Sequence, residues 1–271
     1  MTPDPMTVPI LLYHSVGQET SGLLGPYTTT PAAFRDQMAW VADEGYTTVT
    51  IRRLAQALAG AAPLPPRPLA ITFDDGLADF SRHALPVLAD FGHRSTMFVT
   101  TAVMWRSRPM TLAGRRTLSR SEVAALPEAG VEVGGHGHDH LQLDLLPAPR
   151  VASQVRVCKD ELEQALGTEV ASFAYPHGYS RGVTRRLVRE AGFRAACAVK
   201  NQLSHAADDP MALARVMLTA EQSVPFLRRA VGEQALATAG RTHRPVATAW
   251  RAARFVRTRG QPLVLAEPSR T

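Results

Sequence analysis

Apolar residues along the chain follow two spacings, one typical of amphipathic helices and the other typical of short buried strands. Seven segments have helical periodicity, and eight short apolar runs alternate with them. The predicted helices are 31–44, 52–59, 80–91, 119–129, 149–166, 181–191 and 221–232. The predicted strands are 8–13, 46–51, 69–73, 95–100, 131–134, 170–175, 194–199 and 213–218. Strands that alternate with helices indicate an α/β protein with a parallel sheet.

Glycine marks the predicted boundary between a helix and the next strand at four places. The junctions lie at 43–46, 90–93, 128–131 and 190–193, and each has glycine at its third position. Glycine readily adopts the left-handed conformation that ends a helix. The helix starts agree with this division, because Pro31 suits a first helical turn and Ser119 forms a capping-box pattern with Glu122.

The number of helix–strand units favours a barrel over an open sheet. A chain of 271 residues is long enough for one large domain of this kind. In a parallel barrel the catalytic groups follow the carboxyl ends of the strands. We therefore expect functional residues directly after the predicted strands.

The composition is that of a globular protein, with 45% hydrophobic and 20% charged residues, and excludes disordered and collagen-like chains. Cys158 and Cys197 are too few for a disulfide framework, so we expect both to be buried packing residues. The N-terminus has no basic region before an apolar run, and no stretch approaches about 18 apolar residues. These features predict a cytoplasmic protein without a signal peptide or membrane span, with export by an atypical route as the alternative.

Positive charge is concentrated near the C-terminus. The chain has 30 Lys and Arg against 24 Asp and Glu, and residues 240–270 contain many arginines and hardly any acid. No zinc-finger, RNP or helix-turn-helix pattern accompanies this charge, so nucleic acid is not an expected partner. A solvated arginine-rich face is one explanation, and an amphipathic helix that contacts a membrane surface or a protein is the other. We predict a folded domain over 1–235 and a basic extension over 236–271, formed by a helix and a tail.

Two adjacent carboxylates follow the predicted strand 69–73. Asp74 and Asp75 would point to opposite faces of a continuing strand, but Gly76 allows the chain to turn there. Both carboxylates could then approach one site, one as a metal ligand and the other as a proton acceptor. The alternative is an ordinary turn in which an aspartate caps a helix.

Three histidines within five residues follow the predicted strand 131–134. His136 and His140 have a spacing that allows both to bind one metal ion, and an aspartate from the first motif would complete a set of two histidines and one carboxylate. His138 need not face the same way. The alternative is an exposed polar loop.

A third candidate motif, 173–178, ends another predicted strand. Pro176 fixes the local backbone and is followed by two free N–H groups, an arrangement that can direct a donor at an oxyanion. The alternative is a loop that merely joins a strand to a helix.

Taken together, the three motifs resemble those of the polysaccharide deacetylases of the NodB-homology group, carbohydrate esterase family 4. The family's Thr-Phe-Asp-Asp-Gly is intact at 72–76, and its His-(Ser/Thr)-x-x-His is similar to 136–140 with Gly137 in place of the hydroxyl residue. Its Arg-x-Pro-Tyr-Gly resembles 174–178, where Ala174 and His177 replace the arginine and the tyrosine. The form Phe-Ala-Tyr-Pro-x-Gly and the N-terminal Pro-Ile-Leu-Leu-Tyr-His-Ser-Val are similar to the branch of biofilm poly-N-acetylglucosamine deacetylases.

The resemblance, which spans about residues 8–230, implies a distorted, incomplete (β/α) barrel of about seven strands. It also implies an enzyme that hydrolyses the N-acetyl group of an amino sugar or polysaccharide with one divalent metal ion. Zinc is the ion expected first, with Co²⁺ or Ni²⁺ as alternatives. The implied ligands are Asp75, His136 and His140, with Asp74 as the general base and the backbone N–H of His177 as the oxyanion donor.

Two parts of the family's site have to come from elsewhere in this chain. After residue 180, the family's late Leu-x-His motif, which protonates the leaving amine, has a match only at 203–205, and His205 sits in a polar loop; Leu12 and His14 form the same pattern at the end of the first predicted strand. The first and last strands of a closed barrel are neighbours, and the resembled branch has such a permuted arrangement. We therefore expect His14 to be the acid and Leu12 to contact the acetyl methyl.

The missing arginine of the third motif also needs a substitute. Arg215 on the predicted strand 213–218 is the candidate, and a surface arginine at a strand edge is the alternative. Tyr175 and Pro176 complete the set of residues predicted to bind substrate, together with Leu12 and Arg215.

Two other functions remain open from the sequence. One is an amide hydrolase, a deacetylase or deformylase, that acts on a small or lipid-linked amino-sugar conjugate. The other is a non-catalytic carbohydrate-binding relative. The presence of a base, three ligands and a candidate acid favours an active enzyme.

Overall fold

The computed structural model describes residues 7–104 and 111–232. Its α-helices over those residues are α1 Pro31–Asp43, α2 Ile51–Leu58, α3 Leu85–Asp90, α4 Arg120–Ala125, α5 Ala148–Leu166, α6 Gly182–Glu190 and α7 Val224–Val231. Its strands over the same residues are β1 Ile10–Tyr13, β2 Ser15–Val16, β3 Thr28–Thr29, β4 Thr47–Val49, β5 Pro68–Phe73, β6 Ser95–Val99, β7 Thr111–Leu112, β8 Arg115–Arg116, β9 Val131–Gly135, β10 Ser172–Ala174, β11 Ala195–Cys197 and β12 Val216–Met217.

The main sheet is parallel and curls into an incomplete barrel. Its strand order is β11-β10-β9-β6-β5-β1-β12, and β4 pairs with the first half of β5. β1 lies between β5 and β12, so the first strand of the described residues is next to their last. A single bridge from Cys197 to Leu213 crosses the gap between β11 and the segment that leads into β12. This arrangement confirms the expected incomplete (β/α) barrel of about seven strands.

Alternate residues of each strand face two different cores. In β1, Leu11 and Tyr13 belong to the larger core, which includes residues of α1, α3 and α5, and Ile10 belongs to a smaller cluster. The smaller cluster collects Ala70, Phe98 and other residues from several strands, as expected for the interior of a barrel. His14 follows the same parity as Ile10, so it lies at the mouth of the interior.

The predicted elements agree with the structure at most of their boundaries. All four junction glycines have positive φ angles, from 65° at Gly92 to 97° at Gly192. The side chain of Ser119 accepts a hydrogen bond from the backbone of Glu122, and the reciprocal bond of the capping box is also present.

One predicted helix differs from expectation because of a proline. Residues 80–91 were expected to form one helix, but Phe80–Ala84 forms a π-helical turn before α3 begins at Leu85. Pro86 has no backbone N–H, and its ring clashes with the carbonyl four residues earlier in a regular helix. The wider turn relieves this conflict.

Two other predictions concern the C-terminal extension and membrane-spanning helices. The basic extension predicted over 236–271 lies outside the described residues, so the division at residue 235 stays a prediction. Within 7–104 and 111–232, no helix is both long enough and apolar enough to cross a bilayer.

Candidate metal and catalytic site

The two adjacent aspartates are directed to one place by a turn with left-handed backbone. The N–H of Asp74 donates to the carbonyl of Tyr13 at 3.0 Å, which fixes the end of β5 beside the end of β1. Asp75 and Gly76 then have φ angles of 75° and 68°. A non-glycine residue is uncommon in this conformation, and here it turns the second carboxylate away from the opposite face of the strand.

His136 lies directly after β9 and is oriented by its neighbour β10. Its Nδ1 is 2.9 Å from the carbonyl oxygen of Ala174, and a carbonyl only accepts, so Nδ1 carries the proton. Its Nε2 is therefore unprotonated in the neutral ring and lies 3.5 Å from Oδ1 of Asp75. The hydrogen bond to Ala174 thus gives His136 the tautomer that a metal ligand needs.

His140 completes a group of three possible metal ligands. Its Nε2 is 3.1 Å from the same oxygen of Asp75, and one ligand atom from each of Asp75, His136 and His140 lies within 4.8 Å of the other two. Oδ1 of Asp75 is buried and receives no hydrogen bond of normal geometry from the described residues. Two imidazoles and one carboxylate, whose buried Oδ1 has no hydrogen bond, fit a divalent metal ion, with positions left for other ligands.

The side chain of His138 does not join this group. Its Nδ1 is 3.0 Å from Oε2 of Glu161 and 2.9 Å from Oγ1 of Thr101. The middle histidine of the motif therefore faces a different way from its two neighbours, as the sequence allowed.

Arg215 is fully buried and forms a bidentate ion pair with Asp74. Its Nη1 is 2.7 Å from Oδ1 of Asp74, and its Nη2 is 2.8 Å from Oδ2. Nε of Arg215 donates to the carbonyl of Ala198 at 3.2 Å, and the guanidinium lies 5.5 Å from the ring centre of Phe98. The alternative of a surface arginine at a strand edge is wrong.

A glycine makes room for the ring below Arg215. A Cβ atom at Gly134 would lie 2.6 Å from the ring of Phe98 and from Oγ of Ser172. A larger residue at this position would force the ring of Phe98 to shift. The close packing explains how a long cationic side chain is held in one position inside the barrel.

The ion pair and the histidines determine the protonation of the two aspartates. Burial alone would raise the pKa of Asp74, but Arg215 and then His136 outweigh it and hold the pKa below its ordinary value. Burial would also raise the pKa of Asp75, but His140 and His136 bring it well below the ordinary value. Both carboxylates are therefore anionic at neutral pH.

His14 lies at the end of β1, next to the aspartates. Burial lowers the pKa of His14, although the charges of Asp75 and Asp74 act in the opposite direction. Its Nδ1 is buried without a hydrogen-bond partner among the described residues, and its ring centre is 5.2 Å from that of Tyr27. Leu12 is completely buried on the same face of β1, one layer below His14.

In the third motif, the ring of His177 lies at the candidate site, whereas the side chain of Tyr175 points away from it. His177 has a φ angle of 61°, and its ring centre is 4.8 Å from that of His140. Tyr175 has the parity of Phe173, whose ring it contacts in the outer core, and its hydroxyl donates to the carbonyl of Met211. This corrects the expectation that Tyr175 contacts substrate, because Ala174, and not Tyr175, faces the barrel interior.

Pro176 lies against residues 136–140, which we call the histidine loop. It is buried, and a Cβ atom at Gly137 would be 3.4 Å from its Cγ. The structure therefore places Pro176 against the segment that carries the two candidate ligands. A contact between Pro176 and substrate stays a prediction.

Two neighbours of the site were missed in the sequence. Tyr27 belongs to a segment without periodicity, and no local signal indicates that its ring contacts His14. Gln154 did carry a signal, because it is a polar residue within the buried stripe of α5 that includes Val151, Val155 and Cys158. Its partner in space is Asp139 in the histidine loop.

Comparison with known proteins identifies relatives of the chain. The family model described as polysaccharide deacetylase matches residues 61–196. The YxkH protein of Bacillus subtilis (strain 168), which carries the name of a polysaccharide deacetylase, is 24% identical over 193 residues. That match covers 71% of this chain and 64% of YxkH, so the chain spans less than two thirds of this relative.

A second curated relative and a solved structure extend the likeness. The poly-beta-1,6-N-acetyl-D-glucosamine N-deacetylase of Escherichia coli (strain K12) is 38% identical over 60 residues, which are 22% of this chain and 9% of that protein. The deacetylase PplD of Streptococcus pyogenes, solved in complex with acetate, superposes with a TM-score of 0.75 at 20% identity. The superposition covers 84% of this chain and 99% of that one, and at this identity it shows a common fold.

Proposed function

The chain belongs to the polysaccharide deacetylase family (NodB homology, carbohydrate esterase family 4), and from that premise we propose that it is a metal-dependent hydrolase that removes N-acetyl groups from an N-acetylated amino sugar or polysaccharide. The observation that carries the proposal is that a candidate metal centre and a buried carboxylate–arginine pair lie together at the mouth of the barrel. Asp75, His136 and His140 form one candidate metal centre, and Asp74 lies beside it in an ion pair with Arg215.

We propose that these three residues hold a divalent ion. A Lewis acid bound there would acidify a water molecule and polarise the acetyl carbonyl. Two nitrogen donors and one carboxylate favour zinc, with Co²⁺ or Ni²⁺ as alternatives.

Asp74 is the proposed general base. Arg215 binds both of its carboxylate oxygens, which keeps the side chain anionic and fixes its orientation. An anionic carboxylate at this position can accept the proton of the attacking water. The backbone N–H of His177 is the proposed donor to the oxygen of the acetyl group as negative charge develops there.

His14 is the proposed acid for the amine leaving group. It is next to both aspartates in the barrel mouth, and Leu12, which is buried one layer below it, is the proposed apolar wall for the acetyl methyl. The ring of His14 is partly exposed at the barrel mouth and lies beside that of Tyr27, so a substrate amine could reach it.

His14→Ala is expected to lose N-deacetylation while the fold and the bound metal are retained. An amine leaves poorly without a proton, whereas the 4-nitrophenolate of an activated acetate ester needs none. The ester should therefore be hydrolysed with a much smaller loss. The measurement is kcat/KM on an N-acetyl oligosaccharide and on 4-nitrophenyl acetate, and an equal loss on both would show that His14 orients the metal or the water.

Arg215→Lys is expected to lower kcat by about 10- to 100-fold without removing the metal. Lysine keeps a positive charge but cannot form the bidentate contact that orients Asp74. Because breaking a buried ion pair also destabilises a protein, thermal unfolding is measured alongside kcat and metal content. Arg194→Lys is the control, since Arg194 is largely exposed. Wild-type kcat in Arg215→Lys would show that the bidentate contact of Arg215 has no role in the reaction.

The function itself is tested by analysis of the released acid. The purified protein, loaded with Zn²⁺, is incubated with N-acetyl and N-formyl amino sugars of increasing chain length, and acetate and formate are quantified. We expect acetate from N-acetylglucosamine oligomers. Formate release alone, or activity confined to small conjugates, would replace the proposal with the amide-hydrolase alternative. Binding of oligomers without release of either acid would identify a carbohydrate-binding relative.

The cytoplasmic location and the peripheral membrane or protein contact of the basic C-terminal segment stay predictions. Both concern features outside the described residues. An N-acetylated carbohydrate is the proposed substrate partner.

A further inference from the structure

We infer that Gln154 is a positioning residue for the ligand His140, and that it acts through a reciprocal pair of hydrogen bonds with Asp139. The inference rests on the metal centre proposed above. The backbone N–H of Asp139 donates to Oε1 of Gln154 at 2.8 Å, and Nε2 of Gln154 donates to Oδ2 of Asp139 at 2.6 Å. One side-chain amide thus fixes both the backbone and the carboxylate of the residue directly before His140.

His140 needs such support because its backbone conformation is unfavourable. Its φ angle is 56°, a left-handed value that non-glycine residues rarely adopt unless their surroundings impose it. If the peptide before His140 were free to rotate, the residue would relax to a more common conformation. Its Nε2 would then leave the position 3.1 Å from Asp75.

The two halves of the histidine loop are held by different contacts. In the first half, the N–H groups of Thr101 and Ala102 donate to the carbonyls of Gly137 and His138 at 3.3 and 3.0 Å. Both bonds join backbone groups, and the side chain of His138 adds contacts to Thr101 and to Glu161 of α5. In the second half, next to His140, the contact comes from a side chain of α5, so the position of this ligand depends on the identity of residue 154.

The burial of Gln154 supports this role. The residue is 7% exposed and occupies the apolar stripe of α5, where an aliphatic side chain would pack without a need for partners. A buried amide is costly unless it is hydrogen-bonded. Gln154 satisfies both ends of its amide with a single residue of the histidine loop, which connects α5 to the candidate metal centre.

The test is a Zn²⁺ titration of the metal-free protein against a chelator of known affinity. Gln154→Ala is expected to weaken Zn²⁺ binding by about 10- to 100-fold, the usual effect of losing a residue that orients a metal ligand. Asp139→Asn keeps an acceptor for Nε2 of Gln154 and is expected to bind Zn²⁺ nearly as the wild type does. Gln164→Ala is the matched control, because Gln164 is an exposed glutamine on the same helix.

A second readout is the visible absorption spectrum of the Co²⁺-loaded protein, which depends on the geometry of the ligands. We expect it to change in Gln154→Ala and to be preserved in Asp139→Asn and Gln164→Ala. If Gln154→Ala does not fold, Gln154→Leu replaces it. Leucine removes both hydrogen bonds of the pair and fills most of the buried space that the amide occupies, whereas Asp139→Ala would keep the backbone N–H that donates to Gln154.

The outcomes separate this inference from the proposal on which it rests. Wild-type Zn²⁺ affinity in Gln154→Ala, or in Gln154→Leu where it replaces that variant, would overturn the positioning role and leave the metal centre intact. An equal loss in Gln164→Ala would also overturn it, since the effect would then be general to α5. A wild-type protein that binds no Zn²⁺ would instead refute the metal centre itself.

Discussion

Asp75→Ala is expected to remove most of the bound metal and the hydrolase activity together. Asp75 supplies the one carboxylate oxygen of the candidate centre, and both imidazoles point to that oxygen at 3.1 and 3.5 Å. Without it, two histidines alone are a weak site for a divalent ion. The measurement is metal content after dialysis, together with acetate release at saturating substrate.

Two comparisons make this result specific. His140→Ala should reproduce the loss, because it removes a second ligand of the same ion. His138→Ala should retain metal and activity, because the ring of His138 contacts Glu161 and Thr101 instead. Stoichiometric, tightly held metal in His140→Ala would contradict the ligand assignment, as would a loss in His138→Ala as large as that in Asp75→Ala.

The site residues that the sequence predicted most directly are those that follow strands. Asp74, Asp75 and His136 come one or two residues after predicted strands, and the barrel rule places such residues at one mouth. Closure of a barrel also makes β1 and β12 neighbours, although more than 200 residues separate them in the chain. His14, at the end of β1, could therefore be expected at the mouth where the last strand of the family's barrel carries its histidine.

Other features depend on which way a side chain points, and a motif does not give this. Tyr175 lies one residue beyond Ala174, so the alternation of the strand turns it toward the helices. The motif named Tyr175 as a substrate contact but did not show the direction of its side chain. For Arg215, the sequence left open a buried or an exposed position, and its distance of 141 residues from Asp74 gave no local evidence for either.

The supporting contacts of the histidine loop were beyond prediction for a related reason. Gln154 lies 15 residues after Asp139, in the first half of α5, and their pairing depends on how that helix packs on the sheet. A polar residue in an apolar stripe indicates that a partner exists, but only the packed structure identifies the partner.

Asp74→Asn is expected to retain the metal and to lose turnover by about 10²- to 10⁴-fold, the range for removal of a general base. Asparagine has the shape of aspartate and can still accept a hydrogen bond from Arg215, but it cannot take a proton from water at neutral pH. The measurements are kcat, metal content and thermal unfolding of the same preparation.

Stability and chemistry are separated by a second variant of the Asp74 pair. Asp74→Asn leaves the fully buried Arg215 without its counter-ion, and breaking such a pair costs about 3–5 kcal/mol. The double variant Asp74→Asn with Arg215→Met removes both charges, so it should regain thermal stability relative to Asp74→Asn but stay inactive. Recovery of turnover along with stability would show that Asp74 serves the fold and that another group removes the proton. Near-normal turnover in Asp74→Asn alone would lead to the same conclusion.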